Sequence, residues 1–193
     1  IIDVGTGSGC IVICLKFLIT NYELQKRNPT KNSQLKTHEF FALDISRRAL
    51  KAAKKNAERH GLLGNINFLH GNLLDPIFNR ISSEFRILNS EFIITANLPY
   101  LTPAQIASSP SIQSEPKLAL LAGIDGLKYY RRLFKQIKIF EKKGAGKITI
   151  FCEIDDTQAD KFSALTEKLL PSASFEIKKD LSGYDRLAII RIG

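Results

Sequence analysis

Near the start of the chain, Asp3 and Val4 lead into Gly5, Thr6, Gly7, Ser8 and Gly9. Glycine at every second position lets a backbone reverse tightly and lets a ligand come close to the main chain. A helix opening at Cys10 would aim its free N–H groups at whatever the turn holds, and such groups attract anions. The G-x-G-x-G spacing differs from the G-x-G-x-x-G of dinucleotide sites and leaves little room for a pyrophosphate. No Walker lysine follows it either. A tight crossover that holds no ligand is the plain alternative.

Asp44 ends the next apolar run, residues 39–43. A carboxylate there accepts without donating and has room for both hydroxyls of a ribose. Its alternative is local capping beside Ser46. Asp44 and the glycine turn together favour a nucleoside ligand.

The third constellation is Asn97, Leu98, Pro99 and Tyr100, directly after the apolar run at 92–96. It would suit chemistry at a planar nitrogen, whose delocalised lone pair makes it a poor nucleophile. The Asn97 side-chain carbonyl and the Leu98 backbone carbonyl could each take an N–H and so orient that lone pair. Pro99 restricts Leu98 to extended backbone, and Tyr100 could stack on the flat group. Alignment of this kind can remove on the order of 7–11 kcal/mol from a barrier, with no metal and no general base. Asn and Pro are also ordinary turn residues, so a simple turn after a buried strand is the alternative.

Apolar runs alternate with helical patterns, as in an α/β fold with a mostly parallel sheet. Strands are expected at 1–4, 39–43, 65–69, 92–96, 147–153, 174–179 and 187–192. Helices are expected at 10–20, from a Ser46 cap to about His60, and at 126–142 and 157–170. Residues 21–37, with Asn28-Pro29, read as a long polar connection. In open parallel sheets ligands bind beyond the carboxyl ends of strands at a switch point. The glycine turn and Asn97 are therefore expected to face one crevice.

The 193 residues suffice for one globular domain with a sizeable core. No run of apolar residues is long enough to span a membrane, and the stretch at 11–19 is interrupted by Lys16. The sequence has no Met and its residue 1 is Ile, so an N-terminal portion is expected to precede it. Cys10, Cys14 and Cys152 lack metal-ligand companions and are expected to be small buried thiols in a reducing cytoplasm. Part of the net charge of +9 lies in Arg47, Arg48, Lys51, Lys54, Lys55 and Arg59, one face of an amphipathic helix. That face is read as solvated, with proximity to ribosomal RNA as the other reading.

These motifs resemble class I methyltransferases that act on nitrogen. The stretch from Glu115 to Leu120, Gly123, Asp125-Gly126-Leu127, Tyr130-Arg131-Arg132 and the segment from Asp180 to Arg186 resemble, more narrowly, the release-factor glutamine N5-methyltransferases. The resemblance covers nearly the whole chain. It implies a Rossmann-like fold: a mostly parallel seven-stranded sheet, helices on both faces and an antiparallel C-terminal strand. It implies that residues 1–193 are a catalytic domain without the family's helical N-terminal domain. Gly5, Thr6, Gly7, Ser8 and Gly9 would bind the methionine part of S-adenosylmethionine, Asp44 its ribose, and Asn72 and Leu73 its adenine. Asn97 would touch cofactor and substrate, and Leu98, Pro99 and Tyr100 would complete a pocket for the glutamine of the release-factor Gly-Gly-Gln loop. Glu115 would order the segment over that pocket, and a monomer is expected.

Two positions depart from the family pattern. Leu98 stands where the family has the first proline of Asn-Pro-Pro-Tyr, and Asn72 stands where an acidic residue is commoner. The Leu98 carbonyl survives the change, and Asn72 can still accept from the adenine amino group. Two other functions stay open: an adenine-N6 methyltransferase acting on RNA or DNA, whose Asn-Leu-Pro-Tyr has the same leucine, and a cofactor-binding fragment without turnover.

Overall fold

The computed structural model describes residues 1–25, 38–81, 90–109 and 116–193. Contacts divide the chain into two units, Ile1–Pro76 and Ile77–Gly193. Its seven strands are ordered β3-β2-β1 within the first unit and β4-β5-β7-β6 within the second. They are the strands of a seven-stranded, mostly parallel α/β sheet in which β7 runs antiparallel to its neighbours.

In the first unit β1 (Ile2–Val4), β2 (Phe41–Asp44) and β3 (Asn67–His70) pair in parallel, with Val4 opposite Leu43 and Asp44 opposite His70. Strands β1 and β2 are near-continuous apolar runs because a parallel sheet is covered on both faces. Helix α1 (Cys10–Gln25) and helix α2 (Arg47–Arg59) lie between the strands in sequence. Val12, Ile13, Phe40, Ala42, Ala57 and Ile66 form a core cluster. Full burial of a side chain such as Phe40 contributes about 1.5–3 kcal/mol.

Helix α2 buries Leu50, Ala53 and Ala57, while Arg47, Arg48, Lys51, Lys54, Lys55 and Arg59 are exposed, as its amphipathic pattern predicts. Ser46 is its N-cap and accepts from the Ala49 N–H at 3.2 Å.

Helix α1 runs five residues beyond the expected end at Thr20. Residues 21–25 are ordinary helix formers, and the first breaker, Asn28-Pro29, comes later. The rest of the expected connection, residues 26–37, lies outside the described residues. Only Val12 and Ile13 of α1 are fully buried, and Cys10 and Cys14 are exposed. Cys152 alone of the three thiols is buried, and burial pushes its pKa up. The expectation of buried thiols fails for the α1 pair because that helix is apolar around much of its circumference and the core takes only one stripe.

The second unit holds β4 (Phe92–Ala96), α4 (Pro103–Ser108), α5 (Lys117–Leu120), α6 (Lys128–Lys142), β5 (Ile148–Glu153), α7 (Ala159–Leu169), β6 (Ser174–Lys179) and β7 (Asp185–Ile192). Helix α3 (Asp75–Ile81) spans the boundary between the units in sequence. Strand β4 pairs in parallel with β5, and β7 pairs antiparallel with both β5 and β6. Tyr130, Phe134 and Phe162 pack edge to face or tilted around a common centre, and Phe140 meets Phe92 at 5.1 Å. Short helices α3, α4 and α5 are additions to the sequence reading. Each has seven residues or fewer, too few to show a helical period. Among the described residues no helix is long and apolar enough to cross a membrane.

Candidate active site

In the first unit the glycine turn is tied at several points. Asp3 is buried at the centre of β1 and accepts the Thr6 hydroxyl at 2.6 Å. The N–H groups of Gly5 and Thr6 both donate to the Leu43 carbonyl, at 2.8 and 2.9 Å. The Asn56 amide of α2 donates to the Ser8 carbonyl at 2.9 Å. Gly5, Gly7 and Gly9 all have left-handed φ, at 72°, 55° and 82°. At Gly9 a Cβ would lie 3.0 Å from the Ala53 Cβ, so α2 packs against the bare backbone. At Gly7 the nearest atom to such a Cβ is 4.0 Å away, so one face of the turn is open to a ligand.

Asp44 is the hub of this unit. Its Oδ2 accepts from the Gly7 N–H at 2.9 Å and its Oδ1 from the Ser46 N–H at 2.7 Å. Its backbone carbonyl accepts from the Gly71 N–H at 3.0 Å. The local-capping role and the tie to the glycine turn are therefore both real. A carboxylate has about four acceptor positions, so two remain for ribose hydroxyls. The next residues, Asn72 and Leu73, are half-buried and buried, and Leu73 has a φ of 52°. It is the one non-glycine with left-handed φ among the described residues, and that conformation costs roughly 1–2 kcal/mol. The structure thus brings the glycine turn, Asp44 and Asn72–Leu73 together within one unit.

In the second unit Asn97 is exposed, Leu98 is buried, and Pro99 and Tyr100 are half-buried. The Tyr130 hydroxyl donates to the Ala96 carbonyl just before the turn at 3.2 Å, and also reaches the Glu153 carbonyl. The Tyr100 hydroxyl donates to Glu153 Oε1 at 3.2 Å. Burial and the neighbouring Glu153 carboxylate both raise the Tyr100 pKa, so the phenol stays neutral. Gln158 Nε2 donates to the Tyr100 carbonyl at 2.7 Å. After the turn, Leu101 bridges to Leu121, which ties the Lys117–Leu120 helix beside it. Glu115 lies outside the described residues.

The narrower motifs find structural work here. Asp125 accepts from the Leu127 N–H and from Arg131. Burial pushes its carboxyl up, but those donors outweigh it and hold the pKa below the ordinary value. Asp180 shapes the turn into β7 by accepting from the Ser182 and Tyr184 N–H groups. Arg186 pairs with Asp180 and donates to the Ile154 carbonyl at 3.1 Å, beside Glu153. No cluster of three or more potential metal ligands occurs among the described residues.

Asp3, Asn56, Glu153 and Gln158 were not singled out from sequence. Glu153 has one local signal, a carboxylate ending an apolar strand. Gln158 sits three residues after Asp155 in a capping box. Gly126 has left-handed φ, and a Cβ on it would lie 1.9 Å from Gln158 Nε2 and 2.3 Å from the Tyr100 carbonyl. Gly126→Ala is therefore expected to cost roughly 2–4 kcal/mol of stability through overpacking and backbone strain. Urea unfolding at unchanged m-value would read this, and a wild-type midpoint would show that the clamp yields freely.

No family model matches the chain. It is 31% identical over 188 residues to the release factor glutamine methyltransferase of Bacillus subtilis, covering 96% of this chain and 56% of the relative. For the release factor glutamine methyltransferase of Enterococcus faecalis the identity is 34% over 191 residues, with coverage of 98% and 58%. For that of Staphylococcus aureus it is 30% over 189 residues, with coverage of 97% and 58%. The chain thus spans little more than half the length of these curated relatives.

Among solved structures, the catalytic domain of human METTL16 in complex with MAT2A 3'UTR hairpin 1 superposes with a TM-score of 0.59. It is 17% identical, over 100% of this chain and 62% of that one. The N-terminal domain of human METTL16 in complex with SAH gives a TM-score of 0.53 at 17% identity, over 99% and 60%. These two likenesses establish the fold. Along nearly its whole length the chain is similar to the release factor glutamine methyltransferases, and its fold is like that of the METTL16 domains.

Proposed function

We propose that this chain carries the methyl-transfer centre of a release-factor glutamine methyltransferase, moving a methyl group from S-adenosylmethionine to the side-chain amide nitrogen of the Gly-Gly-Gln glutamine. The observation that carries the reading is the 34% identity over 98% of the chain to a protein named for that activity. The cofactor would be held by Gly5, Thr6, Gly7, Ser8 and Gly9, by Asp44 at its ribose, and by Asn72 and Leu73 at its adenine. The open face at Gly7 and the two remaining acceptor positions on Asp44 fit that group. When bound, it supplies an electrophilic methyl on a sulfonium.

The chain's own residues supply orientation. The Asn97 side-chain carbonyl and the Leu98 backbone carbonyl would take the two amide N–H groups and so leave the nitrogen lone pair free for the transferred methyl. Pro99 stiffens the turn, and Tyr100 offers a flat face held in place through its hydroxyl. We place the reaction in the cytoplasm, with a peptide-chain release factor as partner.

A second reading, methylation of an adenine amine in RNA, is favoured by the exposed cations of α2. The test is to incubate the protein with S-adenosylmethionine labelled in its methyl group and with either release factor or ribosomal RNA. Label is expected in the release factor, at the glutamine, and it should vanish when that glutamine is replaced. Label in RNA and none in release factor would overturn the proposal.

A further inference from the structure

The Asn97–Tyr100 turn is held at its leading end by Tyr130 of α6, which also reaches the end of β5, and at its trailing end by the passage from β5 to α7. At its leading end, the Tyr130 hydroxyl lies between the carbonyls of Ala96 and Glu153. At its trailing end, Glu153 Oε1 accepts from the Tyr100 hydroxyl at 3.2 Å and Gln158 Nε2 donates to the Tyr100 carbonyl at 2.7 Å. Gln158 is only 3% exposed. Its Nε2 also reaches the Asp125 carbonyl at 3.5 Å, and its Oε1 accepts from the Asp155 N–H at 3.4 Å. Gly126 keeps clear the space that this amide occupies. A buried amide committed on both its oxygen and its nitrogen cannot rotate without leaving polar groups unpaired.

From this geometry we propose that Glu153 and Gln158 are positioning residues for the amide-binding turn. Gln158 sets the backbone at Tyr100, and Glu153 sets the angle of the Tyr100 ring. Neither needs to touch substrate. The inference rests on the methyl-transfer reading of that turn. It deepens that reading by tying the β5–α7 corner to turnover.

Glu153 is the better probe, because it is half-buried and its loss leaves the Gln158 clamp intact. Glu153→Ala is expected to lower kcat about ten-fold, the size of one hydrogen bond to a charged acceptor. Glu153→Gln keeps an acceptor oxygen and is expected to stay within about three-fold of wild type, a fraction of that bond. Tyr100→Phe combined with Glu153→Ala should cost no more than the larger single loss, since both remove the same interaction. Calorimetric affinity for S-adenosylmethionine should not move in Glu153→Ala. Wild-type kcat in Glu153→Ala, an equal fall in Glu153→Gln, or additive losses in the pair would overturn the proposal.

Ultraviolet titration of tyrosine, taken as the difference from Tyr100→Phe, tests the same contact without turnover. The Tyr100 phenol, raised by burial and by Glu153, should titrate lower in Glu153→Ala. An unchanged titration would overturn the assignment even if no release factor is methylated. Absent methylation by the wild-type protein would instead count against the proposed function.

Discussion

Asn97→Ala is expected to reduce kcat/KM for release-factor methylation by about a hundredfold while leaving the melting temperature nearly unchanged. The variant would leave one amide N–H of the substrate without its acceptor, which costs roughly 1–3 kcal/mol, or up to about two decades. It also frees the nitrogen to turn its lone pair away from the methyl, so further loss comes from alignment. Stability should barely move, because Asn97 is exposed and surface changes of this kind usually stay within about 0.5 kcal/mol. Methylation kinetics and a thermal melt on the same sample read both halves. Near-normal turnover would remove Asn97 from the assigned role, and a collapsed melt would make it a structural residue.

Asp44→Ala is expected to weaken S-adenosylmethionine binding by about a hundredfold or more, since hydrogen bonds from two hydroxyls to a carboxylate contribute roughly 1.5–3 kcal/mol each. A second loss is built into the free protein. The same carboxylate anchors the Gly7 and Ser46 N–H groups, so its removal loosens the glycine turn and the start of α2 together. Asp44→Asn is an informative companion. It keeps one acceptor oxygen but puts an NH2 group where the other N–H donor points, so it should bind nearly as weakly as alanine. Calorimetry gives the affinities directly. An Asp44→Ala protein that binds cofactor as wild type does would leave the carboxylate with its structural bonds alone.

Leu98 shows how a departure from a motif can be absorbed by packing. The family's proline would stiffen this position through its ring. Here the side chain is buried, and burial of a leucine contributes about 1.5–3 kcal/mol toward holding the turn.

What the sequence determined by itself were the local pieces. Strand β4 is bounded as its apolar run predicts, Ser46 caps α2, and the glycine turn opens α1 at Cys10. Each is written in neighbouring residues: alternation or continuity of apolar side chains, a capping hydroxyl, glycines that tolerate left-handed φ. The places of Asp44 and of the Asn97–Tyr100 turn were legible for the same reason, since Asp44 ends β2 and the turn begins directly after β4.

Only the tertiary structure decided what holds those pieces. The Gln158 amide and the Tyr100 carbonyl are 58 positions apart, and Tyr100 and Glu153 are 53 apart. Asp44 reaches back 37 positions to Gly7. Hydrogen bonds across such separations leave no period in the chain, because they depend on strand pairing that brings distant side chains within about 3 Å. The exposure of Cys10 and Cys14 was hidden likewise. An apolar helix does not reveal which of its stripes the core will take, and the packing of α1 settled that.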